Sequence, residues 1–536
     1  MTPDLPLVPL PARITTTRPG RVPLGTSGTV AIAVPPGLAP GVTEWFTTWA
    51  RRLHGLDVRV GSSGDITVVV DDPVALGLTD VRPPDGVDPR AAAADERYRL
   101  TVGPDGVLVE AAGDEAAFRG LTTLLQLIEP EPGSVPAVVI EDGPAHAWRG
   151  LSLDLARHYS TPAEIRRIVD LLAWYKLDVL HLHLTDTQAW RAEVAGRPRL
   201  TGAGPGATAE FYSRDELSRI IAYAAQRYVT VVPEFDVPGH VAAAFAAYPE
   251  LRGDTEPAHP YVCYLDPEVP EAVAFTRDVL DELVRLAPGP FVHLGADEPF
   301  GMPTQAYRRF VQEAHAQLRS AGKRVVAWQE AARAGCLDSA DVLQYWIGPD
   351  NSFDTERLKQ RAPAALHPLI EDAARMFALA PGDVPAAVAA GVPVLVSSNT
   401  TLYLDRPYAD PAADEESERR RRRAGHADYE PRTPEQAFDW HPGALPEIAA
   451  AGAEVAGVEA AIWCETVDSF DDLAFLLLPR LAGTAEKAWT RRVTEWRDHQ
   501  RRLAGHVDTW HALGFQAAYQ AAHPNPELVE RPGRSG

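Results

Sequence analysis

The sequence contains few cysteines and no excess of positive charge. Its three cysteines, Cys263, Cys336 and Cys464, lie far apart without C-x-x-C spacing, which argues against a disulfide framework. Lys and Arg together number 51, against 74 Asp and Glu, so the net charge is −23. Because a nucleic-acid groove and an anionic membrane both need clustered positive charge, neither is expected to be the main partner.

The sequence also lacks a recognisable signal peptide and a membrane-spanning run. The N-terminal stretch MTPDLPLVPLPARITTTRPG has no basic region followed by an apolar core, and no run of about 18 apolar residues occurs. Together with the cysteine usage, this pattern predicts a protein of the reducing cytoplasm. A secreted form whose signal had been removed would show the same pattern.

What is present is the composition of a folded globular protein, with 45% hydrophobic and 23% charged residues. Residues 1–146 mix short β-like runs with helical patterns. The runs 98–102 and 107–111 are joined by a short turn, as in a hairpin. An amphipathic stretch, 115–128, and a Pro-rich linker, 129–136, follow them. We therefore predict a small α+β domain over residues 1–146.

The pattern changes at Trp148, where short apolar runs begin to alternate with longer helical stretches. The predicted strands are 150–154, 179–184, 230–234, 291–295, 325–328, 342–346, 394–397 and 457–463. Eight such units predict an α/β fold, a (β/α)8 barrel over residues 147–500. A C-terminal helix and a polar tail are predicted over residues 501–536.

Two of the helical stretches begin with capping boxes, and one charged segment forms an insertion. Thr161 and Ser213 are each followed three residues later by Glu, which predicts two helix starts. In the segment 414–423, three Glu residues each precede an Arg by four positions, as in a solvated helix with i,i+4 ion pairs. A contact with a polyanion or partner is the alternative. The surrounding insert, 409–430, follows strand seven and is placed where it could cover a site.

Carboxylates and tryptophans are concentrated just after the predicted strands, where barrel enzymes place their reactive groups. They are Asp154, Arg157, His158, Asp186, Gln188, Glu234, Asp236, His240, Asp297, Glu298, Trp328, Glu330, Trp346, Tyr403, Asp405, Trp463 and Glu465. Carboxylates handle protons and hydroxyls, and aromatic rings pack on the apolar faces of sugar rings. The pattern predicts a carbohydrate site.

The adjacent pair Asp297 and Glu298 is the most informative. Retaining glycosidases commonly place two carboxylates about 5 to 5.5 Å apart on either side of the scissile bond. Neighbours on a strand point to opposite faces, so an adjacent pair suits that arrangement only if the strand end twists. Adjacency favours another division of roles, in which one carboxyl donates a proton and the other holds a substrate group that is itself the nucleophile.

Taken together, these residues resemble glycoside hydrolase family 20, the β-N-acetylhexosaminidases, over nearly the whole chain. The motifs that carry the resemblance are WRGLSLDLARH (148–158), LHLHLTDTQ (180–188), VPEFDVPGH (232–240), HLGADE (293–298), YLD (403–405) and WCE (463–465). The segment FRGLTTLLQ (118–126) also resembles the small α+β domain that precedes the barrel in this family.

The resemblance implies exo-acting, substrate-assisted hydrolysis of terminal N-acetylglucosamine or N-acetylgalactosamine with retention, through an oxazolinium ion. Glu298 would be the general acid and then the base, and Asp297 would orient the acetamido group. Asp186 and His240 would form a hydrogen-bonded chain to the acid. The family needs no metal or cofactor, so the expected partner is a small carbohydrate.

Binding roles follow from the same resemblance. Arg149 would hold the ring hydroxyls, Asp405 and Glu465 would accept from the 4- and 6-hydroxyls, and Tyr403 would donate to the acetamido oxygen. Trp328, Trp346 and Trp463 would wall the pocket around the acetyl methyl and the ring. Trp440 would stack at the pocket mouth. 

Two positions depart from the family pattern. Ala296 stands where a second glycine is usual, and if that position needs φ > 0, its methyl group would shift the catalytic pair. Thr187 replaces the usual Asp or Ser after Asp186. Neither change removes a charged catalytic group.

Two other functions remain open from the sequence. His181 and His183 would lie on one face of a strand, as metal ligands do in barrel hydrolases. The strand ends that would supply the remaining ligands carry Asp297, Trp328 and Trp346 instead. A carbohydrate-binding protein on a decayed hydrolase scaffold is the non-enzyme alternative, and the presence of Glu298 disfavours it.

Overall fold

The structure, a computed structural model, describes residues 5–25, 28–129, 133–253, 259, 262–348 and 355–521. The tail predicted at the C-terminus lies outside the described residues from position 522 onward, as do residues 130–132 of the Pro-rich linker. Within the described part, the chain forms a seven-stranded mixed sheet followed by a closed eight-stranded barrel. The predicted (β/α)8 barrel preceded by an α+β domain is therefore confirmed.

The N-terminal sheet has the strand order β1-β7-β5-β6-β4-β2-β3. Its strands are β1 (Arg13–Pro23), β2 (Thr29–Ala33), β3 (Asp57–Gly61), β4 (Ile66–Val70), β5 (Tyr98–Gly103), β6 (Gly106–Ala111) and β7 (Ser134–Asp142). β5 and β6 pair antiparallel as the predicted hairpin, whereas β2, β3, β4 and β6 are joined by parallel pairings. Two helices, α1 (Pro40–His54) and α2 (Asp114–Leu127), pack against each other and against this sheet.

The barrel is made of eight parallel strands in chain order, closed by pairing of the last strand with the first. Its strands are β8 (Trp148–Asp154), β9 (Val179–His183), β10 (Thr230–Val237), β11 (Phe291–Gly295), β12 (Arg324–Trp328), β13 (Val342–Tyr345), β14 (Val394–Val396) and β15 (Val455–Ile462). Each predicted strand is present, and every boundary but one coincides with the prediction or differs from it by one or two residues. The largest difference is at β10, which continues three residues further, through Val237.

Fifteen further helices surround the barrel and follow it in the described residues. They are α3 (Pro162–Trp174), α4 (Arg214–Ala225), α5 (Ala242–Ala247), α6 (Pro270–Leu286), α7 (Thr304–Ser320), α8 (Thr355–Arg361), α9 (His367–Phe377), α10 (Asp383–Ala389), α11 (Glu415–Arg423), α12 (Pro434–Phe438), α13 (Pro446–Ala451), α14 (Phe470–Leu477), α15 (Arg480–Trp489), α16 (Trp496–Leu503) and α17 (Val507–Leu513). Both predicted capping boxes are present, at the starts of α3 and α4. No helix among the described residues is both long and apolar enough to cross a bilayer.

The charged segment forms helix α11 with the predicted i,i+4 ion pairs. The helix is also fixed to the barrel, because Arg420 and Arg423 both contact Asp472 on α14. Asp472 is buried, so its charge needs these partners. The C-terminal part of the segment is therefore attached to the barrel surface, and the helix is not purely solvated.

Arg149 corrects one sequence prediction. It is the second residue of β8 and so lies at the N-terminal end of the barrel strands. Barrel enzymes place their reactive groups at the opposite, C-terminal ends. Its guanidinium is fully buried, contacts Glu96 at 2.8 Å and Asp178 at 2.9 Å, and donates to the Lys176 carbonyl. Arg149 thus joins the N-terminal domain to the barrel and does not reach a sugar pocket.

Candidate active site

The strand ends of the barrel surround a cavity of about 150 Å3. Nine of the predicted site residues line it: Asp186, His240, Asp297, Glu298, Trp346, Tyr403, Asp405, Trp463 and Glu465. Five other residues complete the lining: Arg157, His183, Asp236, His426 and Tyr429. A larger groove of about 580 Å3 lies between α6 and α7 on the outside of the barrel. We assign the site to the smaller cavity, because the carboxylates and aromatic rings of the strand ends converge there.

The turn after β11 brings Asp297 and Glu298 into the same pocket. Gly295, Ala296 and Glu298 all have positive φ, of 76°, 76° and 44°, so the chain leaves strand geometry at this point. Both carboxyl side chains consequently face the cavity instead of pointing to opposite sides. The strand end does twist, which is the condition under which an adjacent pair can act on one substrate.

Ala296 occupies a conformation that favours glycine. Its φ of 76° is in the left-handed region, and the residue is fully buried. Its carbonyl oxygen accepts a hydrogen bond of 2.7 Å from the Tyr307 hydroxyl, which helps to hold the turn. A non-glycine residue in this region costs about 1–3 kcal/mol. The Ala296 methyl group is therefore in a strained conformation, as the sequence suggested for a positive φ here. The side chains of Asp297 and Glu298 nevertheless face the pocket.

The Glu298 carboxyl titrates near neutrality. Burial raises its pKa most, to about 7, and the neighbouring Asp297 charge adds to this, while His240 and Arg157 oppose it. About a quarter of the side chain is exposed, at 24%. A carboxyl that is protonated near pH 7 and accessible from the cavity can donate a proton to a leaving group.

His240 lies between Asp186 and the catalytic pair. Its Nδ1 is 3.2 Å from Asp186 Oδ1, and its Nε2 is 3.7 Å from Glu298 Oε2 and 3.8 Å from Asp297 Oδ2. Burial lowers the pKa of His240, but the adjacent carboxylates, Asp186 foremost, outweigh it and raise the pKa to about 9. In the predicted chain, the link between Asp186 and His240 is a hydrogen bond, and the link between His240 and Glu298 is a longer charge contact.

Asp186 is held in place by cations. Arg157 Nη2 is 2.7 Å from its Oδ2, and His183 Nε2 is 3.0 Å from the same oxygen. Burial would raise the pKa of Asp186, but Arg157, His240 and His183 together keep it well below its usual range. Asp186 is therefore a fixed negative charge beneath His240.

A polar network fills the barrel below the pocket. The Glu234 carboxylate accepts from Nε2 of His181, at 3.1 Å, and from Nδ1 of His183, and Trp328 Nε1 donates to it at 2.9 Å. The other ring nitrogen of His181 contacts Glu459, and the other ring nitrogen of His183 contacts Asp186. Both histidines proposed as possible metal ligands thus use each ring nitrogen in hydrogen bonds that support the pocket floor.

Asp405 is a buried carboxyl without a partner. It is 1% exposed, lines the cavity, and neither of its side-chain oxygens has a hydrogen-bond partner among the described residues. Burial raises its pKa most, to about 8, and the charge of Glu465 adds to this. Such a group is costly unless something binds it. Glu465, 37% exposed, lies beside it, with Arg157 Nη2 3.8 Å away.

Aromatic rings form one wall of the cavity. Trp346 and Tyr403 are stacked with ring centroids 6.3 Å apart, and Trp463 meets Tyr403 edge-on at 5.8 Å. Trp328 lies behind this layer, packed on Trp463, and it does not line the cavity. Trp346 Nε1 donates to the buried Glu330 at 3.1 Å, which fixes the plane of the indole.

Trp440 also corrects a prediction, because it is not at the pocket mouth. Its ring lies in the main hydrophobic core, and its Nε1 donates to the Ala437 carbonyl at 3.0 Å. The insert instead places His426 and Tyr429 against the cavity, and Tyr429 packs edge-on to Tyr403. No strand-end signal marks these two residues. Only the position of the insert after strand seven pointed to this region.

Comparison with known proteins agrees with this geometry. Residues 146–302 and 378–492 match the catalytic domain of glycosyl hydrolase family 20, and residues 4–143 match domain 2 of the same family. The chain is 36% identical to a β-N-acetylhexosaminidase of Cellulomonas fimi, with 98% of each chain covered.

Two solved structures are similar over nearly the whole molecule. A mutant Streptomyces plicatus β-hexosaminidase in complex with the product GlcNAc is 29% identical with a TM-score of 0.76, covering 96% of each chain. The family 20 β-N-acetylhexosaminidase of Streptomyces coelicolor is also 29% identical with a TM-score of 0.76, covering 96% of this chain and 97% of that one. The chain belongs to glycoside hydrolase family 20 and is an enzyme, a β-N-acetylhexosaminidase of that family.

Proposed function

We propose that this enzyme releases terminal non-reducing N-acetylglucosamine or N-acetylgalactosamine by substrate-assisted hydrolysis with retention of configuration. The observation that carries the proposal is that Asp297 and Glu298 face one small pocket from adjacent positions. One carboxyl, Glu298, has a pKa near 7 and suits proton transfer. Its neighbour is then free to hold the acetamido group, which supplies the nucleophile from the substrate.

In the first step, the acetamido carbonyl oxygen attacks the anomeric carbon as the glycosidic bond breaks. Glu298 donates its proton to the departing oxygen. Asp297 accepts a hydrogen bond from the acetamido N–H, which orients the carbonyl and stabilises the positive charge that develops on the ring being formed. Oδ1 of Asp297 is buried without a partner among the described residues, so it is available for this contact.

In the second step, water opens the oxazolinium ion at the anomeric carbon. Glu298, now ionised, takes the proton of the water and returns to its starting state. His240 stabilises the ionised form, because its protonated ring lies 3.7 Å from Glu298 Oε2. Asp186 holds that ring in place from the other side.

The sugar hydroxyls are bound at the opposite side of the pocket. Asp405 and Glu465 accept from the 4- and 6-hydroxyls, and the unpartnered oxygens of Asp405 favour this role. Arg157, which lies between Asp186 and Glu465, takes the role in sugar binding that the family resemblance implied for Arg149. Trp346, Tyr403 and Trp463 pack on the ring and the acetyl methyl group.

The test is hydrolysis of aryl β-N-acetylglucosaminide and β-N-acetylgalactosaminide by the wild type and by Glu298→Gln, with a thiazoline analogue of the oxazolinium as inhibitor. Turnover that is lost in the variant and blocked by the thiazoline supports the proposal. The ratio of the two sugars gives the preference at C4. Equal turnover of an aryl β-glucoside, which lacks the acetamido group, would contradict a substrate-assisted reaction.

A further inference from the structure

Asp236 lies directly against the catalytic turn, although no role was assigned to it. It is the seventh residue of β10, is 1% exposed and lines the cavity. A β-carbon on Gly295 would lie 1.9 Å from Asp236 Oδ1. The carboxyl is therefore pressed against the backbone that carries Asp297, and only glycine fits at position 295.

The Asp236 and Asp297 carboxyls lie close together beside His240. Their nearest oxygens and the His240 ring nitrogen all lie within 4.8 Å of one another. Two ionised carboxylates at this separation repel each other, whereas a protonated carboxyl can donate a hydrogen bond to an ionised one. This proximity favours a pair that carries one proton and a single negative charge.

The surroundings determine which carboxyl keeps the proton. Burial raises the pKa of Asp236 well above its usual range, and the charges that act on it most strongly, those of Asp297, Glu234 and Asp186, raise it further. Burial also raises the pKa of Asp297, and Glu234 adds to this, but the neighbouring His240 opposes the rise, so the pKa of Asp297 is raised less than that of Asp236. The proton therefore belongs on Asp236, and the charge on Asp297.

We propose that Asp236 is a positioning residue, which donates a hydrogen bond to Asp297 and so holds the Asp297 carboxylate ionised and aimed at the acetamido N–H. This inference rests on the proposed function. His240 lies 3.9 Å from Asp236 and 3.8 Å from Asp297, so the imidazole and Asp236 hold Asp297 between them. A carboxylate fixed in this way loses little orientation when the oxazolinium forms.

The test compares Asp236→Asn with Asp236→Leu, because Asn keeps an N–H donor in nearly the same shape and Leu removes it. With an aryl β-N-acetylglucosaminide, we expect Asp236→Leu to lower kcat about 100-fold with a much smaller change in KM. Asp236→Asn should recover at least about tenfold of that loss. Affinity for the thiazoline should follow kcat across the variants, because that inhibitor resembles the oxazolinium.

A second comparison asks whether Asp236 acts through Asp297. In an Asp297→Ala background, Asp236→Leu should cost less than about threefold in kcat, since the group it positions is already gone. If Asp236→Leu fails to fold, Asp236→Ala carries the same comparisons.

Two results would overturn the inference: Asp236→Asn as slow as Asp236→Leu, or a Leu effect of equal size with and without Asp297. Failure of the proposed function is a different result. It would appear in the wild type alone, as turnover without an acetamido group.

Discussion

Both ends of the barrel bury charged side chains. Those at the lower end, where the strands begin, are ion-paired, whereas several at the upper end, around the pocket, have oxygens that lack hydrogen-bond partners in the described part of the chain. At the lower end, Glu96 contacts Arg149 and Arg119 at 2.8 and 2.9 Å, and this pairing outweighs burial and lowers its pKa to about 2. At the upper end, the oxygens of Asp405 and one oxygen of Asp297 are buried without a partner among the described residues. Paired charges fasten the two domains, whereas unpaired ones are available to a substrate.

The buried charges at the two ends have different effects on the stability of the fold. A buried charge without a partner destabilises the fold, so the pocket is kept at some expense of stability, while the lower cluster contributes to it. Replacing pocket residues should therefore change activity more than stability, and replacing residues of the lower cluster should do the reverse. The following predictions test this separation, from the largest expected effect to the smallest.

The largest effect is expected for Glu298→Gln. The amide cannot donate a proton to the leaving group, so kcat/KM should fall about 1,000-fold. The free energy of unfolding should stay the same or rise, because a buried ionisable group is removed. Steady-state kinetics and urea unfolding of the same preparations measure both quantities. A variant that is inactive and strongly destabilised would break the proposed separation.

The next largest effect is expected for Arg149→Met at the lower end. Removing the guanidinium takes away the cation beside Asp178 and weakens the pairing of Glu96. Breaking a buried pair in this way should lower the free energy of unfolding by about 3–5 kcal/mol. KM should not change in the fraction that remains folded.

Arg157→Met is the matched control for Arg149→Met. Its guanidinium lines the pocket and contacts Asp186, so it should mainly lower kcat/KM. If instead Arg149→Met raised KM and Arg157→Met did not, the assignment of sugar binding to Arg157 would be incorrect.

A third prediction concerns Asp405→Asn and its dependence on pH. The pKa of Asp405 is raised to about 8 in the fold, so the folded state holds a proton that the unfolded chain loses near pH 4. Stability associated with this group is fully present below pH 4 and is lost as the pH rises toward 8. Asp405→Asn should therefore raise the free energy of unfolding by about 1–3 kcal/mol at pH 8 and by little at pH 4.

The same variant should lower kcat/KM about 10- to 100-fold, because a carboxyl that binds a sugar hydroxyl is lost. Denaturant unfolding at the two pH values and kinetics at pH 7 measure these effects. A variant that is less stable at pH 8 than the wild type would show that Asp405 has a structural partner.

The sequence predicted the barrel well because its short, mainly apolar strands alternate with longer helical stretches, and strands such as β8 and β9 are buried at every position. Most of the pocket followed from the strand ends and the family motifs. Arg149 was misplaced because the motif from 148 to 158 contains two arginines and extends from one end of a strand to beyond the other. Local spacing cannot distinguish them, whereas the partner Glu96 lies in another domain.

Other residues depend on contacts that sequence does not show. Tyr429 lies within the insert 409–430 and Trp440 follows it, and the path of that insert decides which one reaches the cavity. Asp236 was recognised as a strand-end carboxylate. Its contact with Asp297 depends on the three residues by which β10 extends beyond the predicted end. The sequence alone did not predict a positive φ at position 296. It showed only that a methyl group would cause strain there if φ were positive.

The smallest effect is expected for Ala296→Gly, which tests whether strain is confined to the upper end. Ala296 has a φ of 76°, and glycine adopts this conformation without a steric penalty, so the variant should gain about 1 kcal/mol of stability. The gain is reduced by the extra freedom of glycine in the unfolded chain. Gly295→Ala is the matched control, because its new β-carbon would lie 1.9 Å from Asp236 Oδ1, and both stability and activity should fall. If Ala296→Gly gained stability but lost activity, the strained turn would itself contribute to the placement of Asp297 and Glu298. Unchanged kinetics would instead show that the pocket tolerates the methyl group at the cost of strain alone.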